Sequence, residues 1–235
     1  SGADVVHLSP ANHFPTGIVM PVTRRLELFE WVNRIRKRYI IEDDYDSEFR
    51  LTGKPIPSLQ SMDITQKVIY INTFTKSLSS TMRISYMVLP PELANRFLEQ
   101  LSFYSCTVSN FEQYALMRFI NEGYFEKHIN RMRNFYHKQR DILLDAIKRS
   151  PLSSHVTIME EDSGLHFLLK LKMELSDKEF MQRALQKGVK LNSLSAYYHD
   201  SPDDFAAHTF IINYSYLNTE HLAEAINVLY DCIKK

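Results

Sequence analysis

Cysteine is scarce in this sequence: there are two, Cys106 and Cys232, in a chain of 235 residues. They lie far apart and match neither the spacing of metal ligands nor that of a redox pair. We therefore expect both to be buried apolar side chains in a reducing compartment, where disulfides are rare.

Net charge is also missing, because 28 Lys and Arg residues balance 28 Asp and Glu residues. A neutral chain creates no overall field that attracts nucleic acid or an anionic membrane. No apolar run approaches the roughly 20 residues that span a bilayer, and no secretory leader pattern opens the sequence. The composition is that of an ordinary globular domain, and we expect a cytoplasmic location.

Strand and helix signals alternate over residues 1–92. Short apolar runs at 5–8, 39–41, 68–71 and 83–89 predict strands, and apolar residues at helical spacing predict a helix over 22–38. The runs at 39–41 and 68–71 are typical of parallel strands that are buried on both faces. This alternation predicts an α/β domain with right-handed crossovers.

Residues 93–235 show a different pattern, with three helices followed by strands and two more helices. We expect helices near 93–104, 110–121 and 125–147, strands at 156–159, 165–171 and 210–216, a helix that ends at Gly188, and a final helix capped by Asn218. The basic residues on the third helix are typical of a solvated face, with a nucleic-acid patch as the alternative. We predict a large-domain portion over 1–92 and a smaller α+β domain over 93–235.

A single lysine, Lys76, follows the predicted strand at 68–71 and lies among hydroxyl residues and ahead of Arg83. Ligands of open α/β sheets bind beyond the carboxyl ends of the strands. Lysine forms imines readily when burial or nearby cations lower its pKa, and Thr73, Thr75 and Arg83 are suited to a phosphate dianion. A solvated lysine in a polar loop is the alternative.

An acidic segment, residues 42–46, follows the strand at 39–41 and therefore lies on the same rim. Asp43 and Tyr45 share a face if the backbone stays extended. A carboxylate can keep a pyridine nitrogen protonated, and a phenol can hydrogen-bond a ring oxygen, which is what pyridoxal 5′-phosphate (PLP) requires beside a lysine. An acidic loop or a divalent-metal site is the alternative, although no histidine lies close by in the sequence and the other rim segment is cationic.

Three motifs together resemble a known family: NHFPTG (12–17), IEDDYDSEFR (41–50) and TFTKSLSSTMRISYMVLP (73–90). Their order and spacing are similar to those of fold-type I PLP proteins. More narrowly, the chain resembles the aminotransferase-like effector domain of the MocR subfamily of GntR transcription regulators. The resemblance covers essentially the whole chain and implies part of the PLP-binding large domain, with a mostly parallel sheet, followed by a small α+β domain.

The resemblance also implies site roles and partners. It assigns the PLP imine to Lys76, the pyridine nitrogen to Asp43, the 3-oxygen to Tyr45, and the phosphate to Arg83, Thr73 and Thr75. It implies a homodimer, an amino compound or PLP as effector, and DNA binding through an N-terminal winged helix-turn-helix outside this chain. It further implies that the 235 residues form a C-terminal fragment that completes no PLP site alone.

Four departures from the family pattern concern the site. Phe14 stands where aminotransferases place an Asn that contacts the cofactor oxygen, so His13, Asn12 or another residue must make that contact. Ser80 and Ser85 replace a usual Pro and Gly. The position of the carboxylate-binding arginine is Ile211, and no arginine follows Arg183.

Two functions remain open from these observations. The first is a ligand-sensing effector domain with little or no aminotransferase turnover. The second is a genuine PLP-dependent aminotransferase or C–S lyase. The absent carboxylate arginine and the regulator-like acidic segment favour the first, and a protein unrelated to PLP is the remaining alternative.

Overall fold

The computed structural model describes residues 2–51, 53, 56–160, 162, 164–199 and 203–234. Contacts divide the chain into two compact units, Ser1–His13 with Ile18–Arg131, and Phe14–Gly17 with Met132–Lys235. Across the described ranges, no helix combines the length and the apolar character that a membrane span requires.

The first unit contains a four-stranded sheet and helices. Its elements are β1 (Val5–Leu8), α1 (Val22–Asn33), β2 (Tyr39–Asp43), a 3-10 turn (Ser47–Phe49), α2 (Leu59–Met62), β3 (Val68–Thr73), α3 (Phe74–Ser77), β4 (Ser85–Val88), α4 (Pro91–Leu101), α5 (Asn110–Asn121) and the start of α6 (Tyr124–Arg149). The sheet order is β1-β2-β3-β4. The first three strands are parallel and β4 is antiparallel to β3, so the predicted α/β sheet is mostly parallel.

The core of this unit lies under the middle of the sheet. Ile40 of β2 and Val68 of β3 pack with Val32 of α1 and Leu59 of α2. Burying an aliphatic side chain of this kind contributes about 1.5–3 kcal/mol. Burial alternates along β2, and β3 has mostly half-buried positions, so the prediction that both strands are buried on two faces is wrong for these residues.

A buried carboxylate links the sheet to α2. Glu42 is fully buried, and its two oxygens accept the backbone N–H groups of Leu59 at 2.7 Å and Gln60 at 2.8 Å. Burial raises the pKa of this carboxyl, while the two backbone donors lower it. The pair of hydrogen bonds fixes the β2 segment that leads into the acidic motif.

Several predicted elements extended beyond the observed ones. Helix α1 ends at Asn33, because the Arg38 guanidinium donates to the carbonyl of Trp31 and lies 4.5 Å from its ring centroid. The strand predicted over 210–216 is β8 (Thr209–Asn213), since the Asn213 side chain accepts from the Ser215 N–H and turns the chain. The strand predicted over 83–89 covers only Ser85–Val88.

The division into units also differs from the predicted boundary after residue 92. The first unit continues to Arg131 because the start of α6 contacts α3. The rings of Phe74 and Phe125 meet edge to face with centroids 5.9 Å apart, and Nε2 of His128 lies 3.0 Å from the Ser77 carbonyl oxygen.

The second unit contains an antiparallel sheet in the order β5-β6-β8-β7. Its elements after α6 are a 3-10 turn (Pro151–His155), β5 (Val156–Met159), β6 (His166–Leu171), α7 (Asp177–Gln186), β7 (Asn192–Ser193), a 3-10 turn (Leu194–Tyr197), β8 (Thr209–Asn213), a 3-10 turn (Thr219–His221) and α8 (Leu222–Ile233). Ser176 caps α7, and the Asn218 side chain caps the short turn that precedes α8. This sheet with its helices agrees with the predicted α+β pattern.

The two cysteines differ in environment. Cys232 is buried in α8, as predicted, whereas Cys106 is exposed. Cys106 lies in the loop between α4 and α5, where neighbouring side chains such as Phe103 and Tyr104 are exposed as well. The prediction of two buried cysteines is therefore wrong for Cys106.

Candidate functional site

One cavity of about 400 Å³ lies in the first unit, beyond the ends of β2 and β3. Its volume falls within the range of about 300–1,000 Å³ that is usual for small-molecule pockets. The lining residues are Asp43, Tyr45, Ile71, Asn72, Thr73, Thr75, Lys76, Arg83 and Ser85. Six of the seven candidate residues from the sequence therefore meet around one space.

The parallel pairing of β2 and β3 explains this convergence. Asp43 is the last residue of β2 and pairs with Ile71 near the end of β3, so the two carboxyl ends meet at one edge. Lys76 follows in the single turn of α3, and Thr73 starts that turn by accepting the Thr75 N–H. Ligands of such sheets bind at this edge.

Neighbouring carboxylates of the acidic motif face different surroundings. Asp43 lines the cavity, whereas Asp44 is buried and accepts hydrogen bonds from the Ser47 hydroxyl at 2.8 Å and the Tyr70 hydroxyl at 2.7 Å. The alternation expected of an extended backbone accounts for this difference. Asp43 is thus the carboxylate that is free to meet a ligand in the cavity.

The structure adds His7 to the site, which the sequence analysis missed. Nε2 of His7, on β1, lies 3.4 Å from Oδ2 of Asp43. The two strands are neighbours in the sheet. The sequence predicted both strands, but their register, which brings these two side chains together, follows only from the folded sheet.

Lys76 and Arg83 are the basic residues that line the cavity, and Thr73 and Thr75 line it as well. The Thr75 hydroxyl donates to the Met82 carbonyl at 3.1 Å, and the Thr73 hydroxyl lies 3.3 Å from the Ile84 carbonyl. These contacts stabilise the loop that connects α3 to β4. Ser85 of the same motif also lines the cavity, whereas Ser77, Ser79, Ser80 and Thr81 do not.

The Tyr45 hydroxyl is held by Asn12, which in turn contacts Asp46. The hydroxyl donates to the Asn12 backbone carbonyl at 3.1 Å, and the Asn12 side-chain amide lies 3.5 Å from the same hydroxyl. That amide also donates to Oδ2 of Asp46 at 2.8 Å. Burial raises the pKa of the Tyr45 phenol, and the charges of Asp46 and Asp43 raise it further, so the phenol keeps its proton.

His13 does not line the cavity, although the sequence made it a candidate for the ring-oxygen contact. Asn12, one residue earlier, is the residue that contacts Tyr45. The Phe14 ring meets the rings of His166 and Tyr197 with centroids 5.5 and 5.4 Å apart. A binding role for His13 stays a prediction.

Within the second unit, Ile211 lies in apolar surroundings. It sits on β8, pairs with Leu168 of β6, and packs against a buried cluster of Leu168, Leu194 and Ala206. Apolar packing is what an isoleucine in this position provides, and it offers no charge to a carboxylate. Among the described residues, no group of three or more His, Cys, Asp or Glu side chains is arranged to hold a metal ion.

The fold and the cavity define an aminotransferase-like protein. The family model of aminotransferase class I and II matches residues 3–229, and the chain belongs to this family. Its fold is that of a solved kynurenine aminotransferase from Pyrococcus horikoshii, crystallised with PMP, with a TM-score of 0.81 and 29% identity over 98% of this chain and 56% of that one. The predicted fold-type I architecture is confirmed.

Within the family, the chain is similar to transcription regulators. It is 44% identical to the HTH-type transcriptional regulator YdeL of Bacillus subtilis over 85% of this chain and 42% of that protein. It is 34% identical to the probable rhizopine catabolism regulatory protein MocR of Rhizobium meliloti over 96% of this chain and 45% of that one. The chain thus spans less than half the length of these relatives.

Proposed function

We propose that this chain is the PLP-binding, ligand-sensing effector domain of a MocR-type GntR transcription regulator, with little or no aminotransferase turnover. The observation that carries the proposal is the convergence of Asp43, Tyr45, Lys76 and Arg83 on one cavity. The similarity to regulators of the MocR kind supports the regulatory part of the proposal.

The lining residues fit PLP in the chemistry that each of them offers. Asp43 suits a protonated pyridine nitrogen, the Tyr45 phenol suits the 3-oxygen, and the Lys76 amine suits the carbonyl carbon. The Arg83 guanidinium is a strong partner for phosphate, and Thr73 and Thr75 line the same cavity. Lys76 and Arg83 both follow β3 and line the same cavity, so one ligand can meet both side chains.

PLP, when bound, supplies an electron sink. The residues of this chain would bind it, orient it and keep its ring nitrogen protonated. The Asp43 carboxylate, which lies 3.4 Å from His7 Nε2, would stabilise the protonated form of the ring nitrogen. The Tyr45 phenol retains its proton and can donate it in a hydrogen bond. Arg83 would hold the phosphate of PLP and would thereby orient the ring relative to the Lys76 amine.

Sensing is favoured over turnover by the environment of Ile211. In the family pattern this position carries the arginine that anchors a substrate carboxylate, and here it packs into an apolar cluster. Losing a charged hydrogen bond costs roughly 1.5–3 kcal/mol, and a loosely held substrate loses the orientation that its reaction needs. The 29% identity to an aminotransferase keeps a genuine enzyme as the second candidate.

DNA recognition and dimer formation belong to the same proposal. We assign operator binding to a winged helix-turn-helix outside this chain, because the relatives are HTH-type regulators of more than twice its aligned length. We propose a homodimer because several large apolar side chains of α4, α5 and the loop between them are exposed, and exposed apolar patches mark interaction surfaces. These side chains include Leu98 at 61%, Phe103 at 75% and Phe111 at 83%.

Borohydride trapping tests the proposal. The protein, expressed with its natural flanking sequence, is incubated with PLP, reduced with borohydride and digested, and the pyridoxyl mass should lie on Lys76. Lys76→Ala should remove the label, whereas Lys148→Ala, a change on the exposed face of α6, should retain it. A label on another lysine, or no label in the intact protein, would refute the cofactor assignment. Turnover assays with amino acids then separate a sensor from an enzyme.

A further inference from the structure

A buried polar network lies behind Tyr45, outside the cavity lining. The Asn12 amide bridges the Asp46 carboxylate, at 2.8 Å, and the Tyr45 hydroxyl, at 3.5 Å. Asn12 is only 3% exposed and Asp46 only 5%. Because the hydroxyl of Tyr45 carries one proton, its donation to the Asn12 carbonyl at 3.1 Å competes with donation into the cavity.

Asp46 lies among charges of both signs. Burial raises its pKa to about 7, the Asn12 hydrogen bond lowers it, the charges of Asp44 and Glu48 raise it, and that of Lys76 lowers it. Asp46 therefore changes its charge near neutral pH, at a position that both Lys76 and Tyr45 sense. Asp46 in turn raises the pKa of the Tyr45 phenol.

We propose that Asp46 and Asn12 are positioning residues that act through Tyr45 and set how strongly its phenol donates to the 3-oxygen of bound PLP. This inference rests on the proposed PLP site. When Asp46 is ionised, the phenol is a weaker donor, because a nearby negative charge opposes any loss of the proton. When Asp46 is neutral, the phenol donates more strongly, and Asn12 transmits the difference through its amide.

The donation from Tyr45 has a measurable consequence. The Lys76–PLP adduct shares a proton between the lysine nitrogen and the ring 3-oxygen. A stronger hydrogen bond from Tyr45 stabilises negative charge on that oxygen, so the shared proton is lost at a lower pH. A neutral residue at position 46 should therefore lower the pH midpoint of the visible absorbance change. The expected shift is roughly one pH unit, as a neighbouring charge produces.

A double-mutant cycle distinguishes action through Tyr45 from a direct effect of charge on Lys76. The absorbance midpoint is measured for the PLP-loaded wild type, Asp46→Asn, Tyr45→Phe and the double variant. Asp46→Asn should lower the midpoint by roughly one unit in the wild type and by less than half of that in the Tyr45→Phe background. Asp145→Asn, which neutralises an exposed carboxylate on α6, should leave it unchanged.

Each outcome decides the inference. An equal shift in both backgrounds would show that Asp46 acts directly on Lys76, and no shift in the wild type would show that Asp46 does not act on the adduct. Either result overturns the inference while the proposed function stands. Absence of any visible adduct in the wild type would overturn both. Asn12→Ala, where it folds, should also reduce the effect of Asp46→Asn, because it removes the bridge.

Discussion

His7 and Asp43 approach each other across the first two strands of the sheet, with Nε2 of the imidazole 3.4 Å from Oδ2 of the carboxylate. The Asp43 side chain remains 36% exposed and lines the cavity. Asp43 is therefore oriented by a neighbour and still open to a ligand. The Asp44 carboxylate instead accepts hydrogen bonds from Ser47 and Tyr70, neither of which lines the cavity.

We expect Asp43→Asn to weaken PLP binding by about ten- to a hundredfold, the loss of one charged hydrogen bond. The matched change Asp44→Asn should leave PLP affinity within about threefold, and its effect should fall on thermal stability. His7→Ala should give an intermediate loss, because it orients Asp43 without touching the ligand. Equilibrium titration monitored by absorbance measures all three. A larger effect of Asp44→Asn than of Asp43→Asn on affinity contradicts the assignment.

Arg83 should act on the phosphate alone. Arg83→Ala is expected to lower affinity for PLP by about tenfold or more, because a guanidinium–phosphate contact is lost. Affinity for pyridoxal, which has no phosphate, should hardly change. Arg96→Ala, an exposed change on α4, serves as the control. Equal losses for PLP and pyridoxal would show that Arg83 supports the fold of the loop and does not bind the phosphate.

The sequence predicts the strands and helices of this chain well where they carry strong periodicity. Helix α5 has the predicted bounds, and α6 begins one residue before and ends two residues after its predicted ends. Two of the errors occur where a side chain ends an element: Arg38 contacts Trp31 at the end of α1, and Asn213 turns the chain after β8. Such local contacts compete with periodicity and leave no clear pattern in the sequence.

Much of the candidate site could be predicted from the sequence, because most of the residues that line the cavity belong to two short motifs, 41–50 and 73–90. Asp43, Tyr45 and Lys76 follow strands, and strand order alone brings them to one edge. His7 and Asn12 were not assigned their contacts, because strand register and the packing of the turn depend on tertiary structure. In the sequence, Asp46 is one of several carboxylates in the acidic motif. The sequence does not show that Asp46 is buried, and burial is the main reason that its pKa is raised.

Turnover of α-amino acids should be slow. We expect rates well below the usual enzyme median of about 10 per second, because Ile211 gives the substrate carboxylate no charged partner. A sharper readout is the ratio of rates for an amino acid and the matching amine without a carboxylate. The two rates should differ by no more than about tenfold, because the protein forms no arginine–carboxylate contact that would favour the amino acid over the amine. A coupled assay that gives a turnover number near the median, or a strong preference for the carboxylate, would favour the enzyme.

The free energy of unfolding should respond to pH through Asp46. Its pKa rises from 3.8 to about 7 on folding, chiefly because of burial. Between these values the native state holds a proton that the unfolded chain has released, so stability falls as the pH rises. The contribution is complete below pH 3.8 and is lost as the pH passes about 7.

The Asp46→Asn variant has no carboxyl group at this position. Its free energy of unfolding should therefore not show the pH-dependent decrease that Asp46 causes. Urea unfolding of the apoprotein at two pH values, about 5 and 8, should show the wild type losing about 2.5 kcal/mol more than the variant, since about two pH units lie between pH 5 and the folded pKa and one unit corresponds to about 1.4 kcal/mol. Asp145→Asn should change with pH as the wild type does, because its carboxylate is exposed. A difference between wild type and Asp46→Asn that is the same at both pH values would mean that Asp46 ionises normally in the folded chain. It would also mean that the network around Asn12 holds a permanent charge.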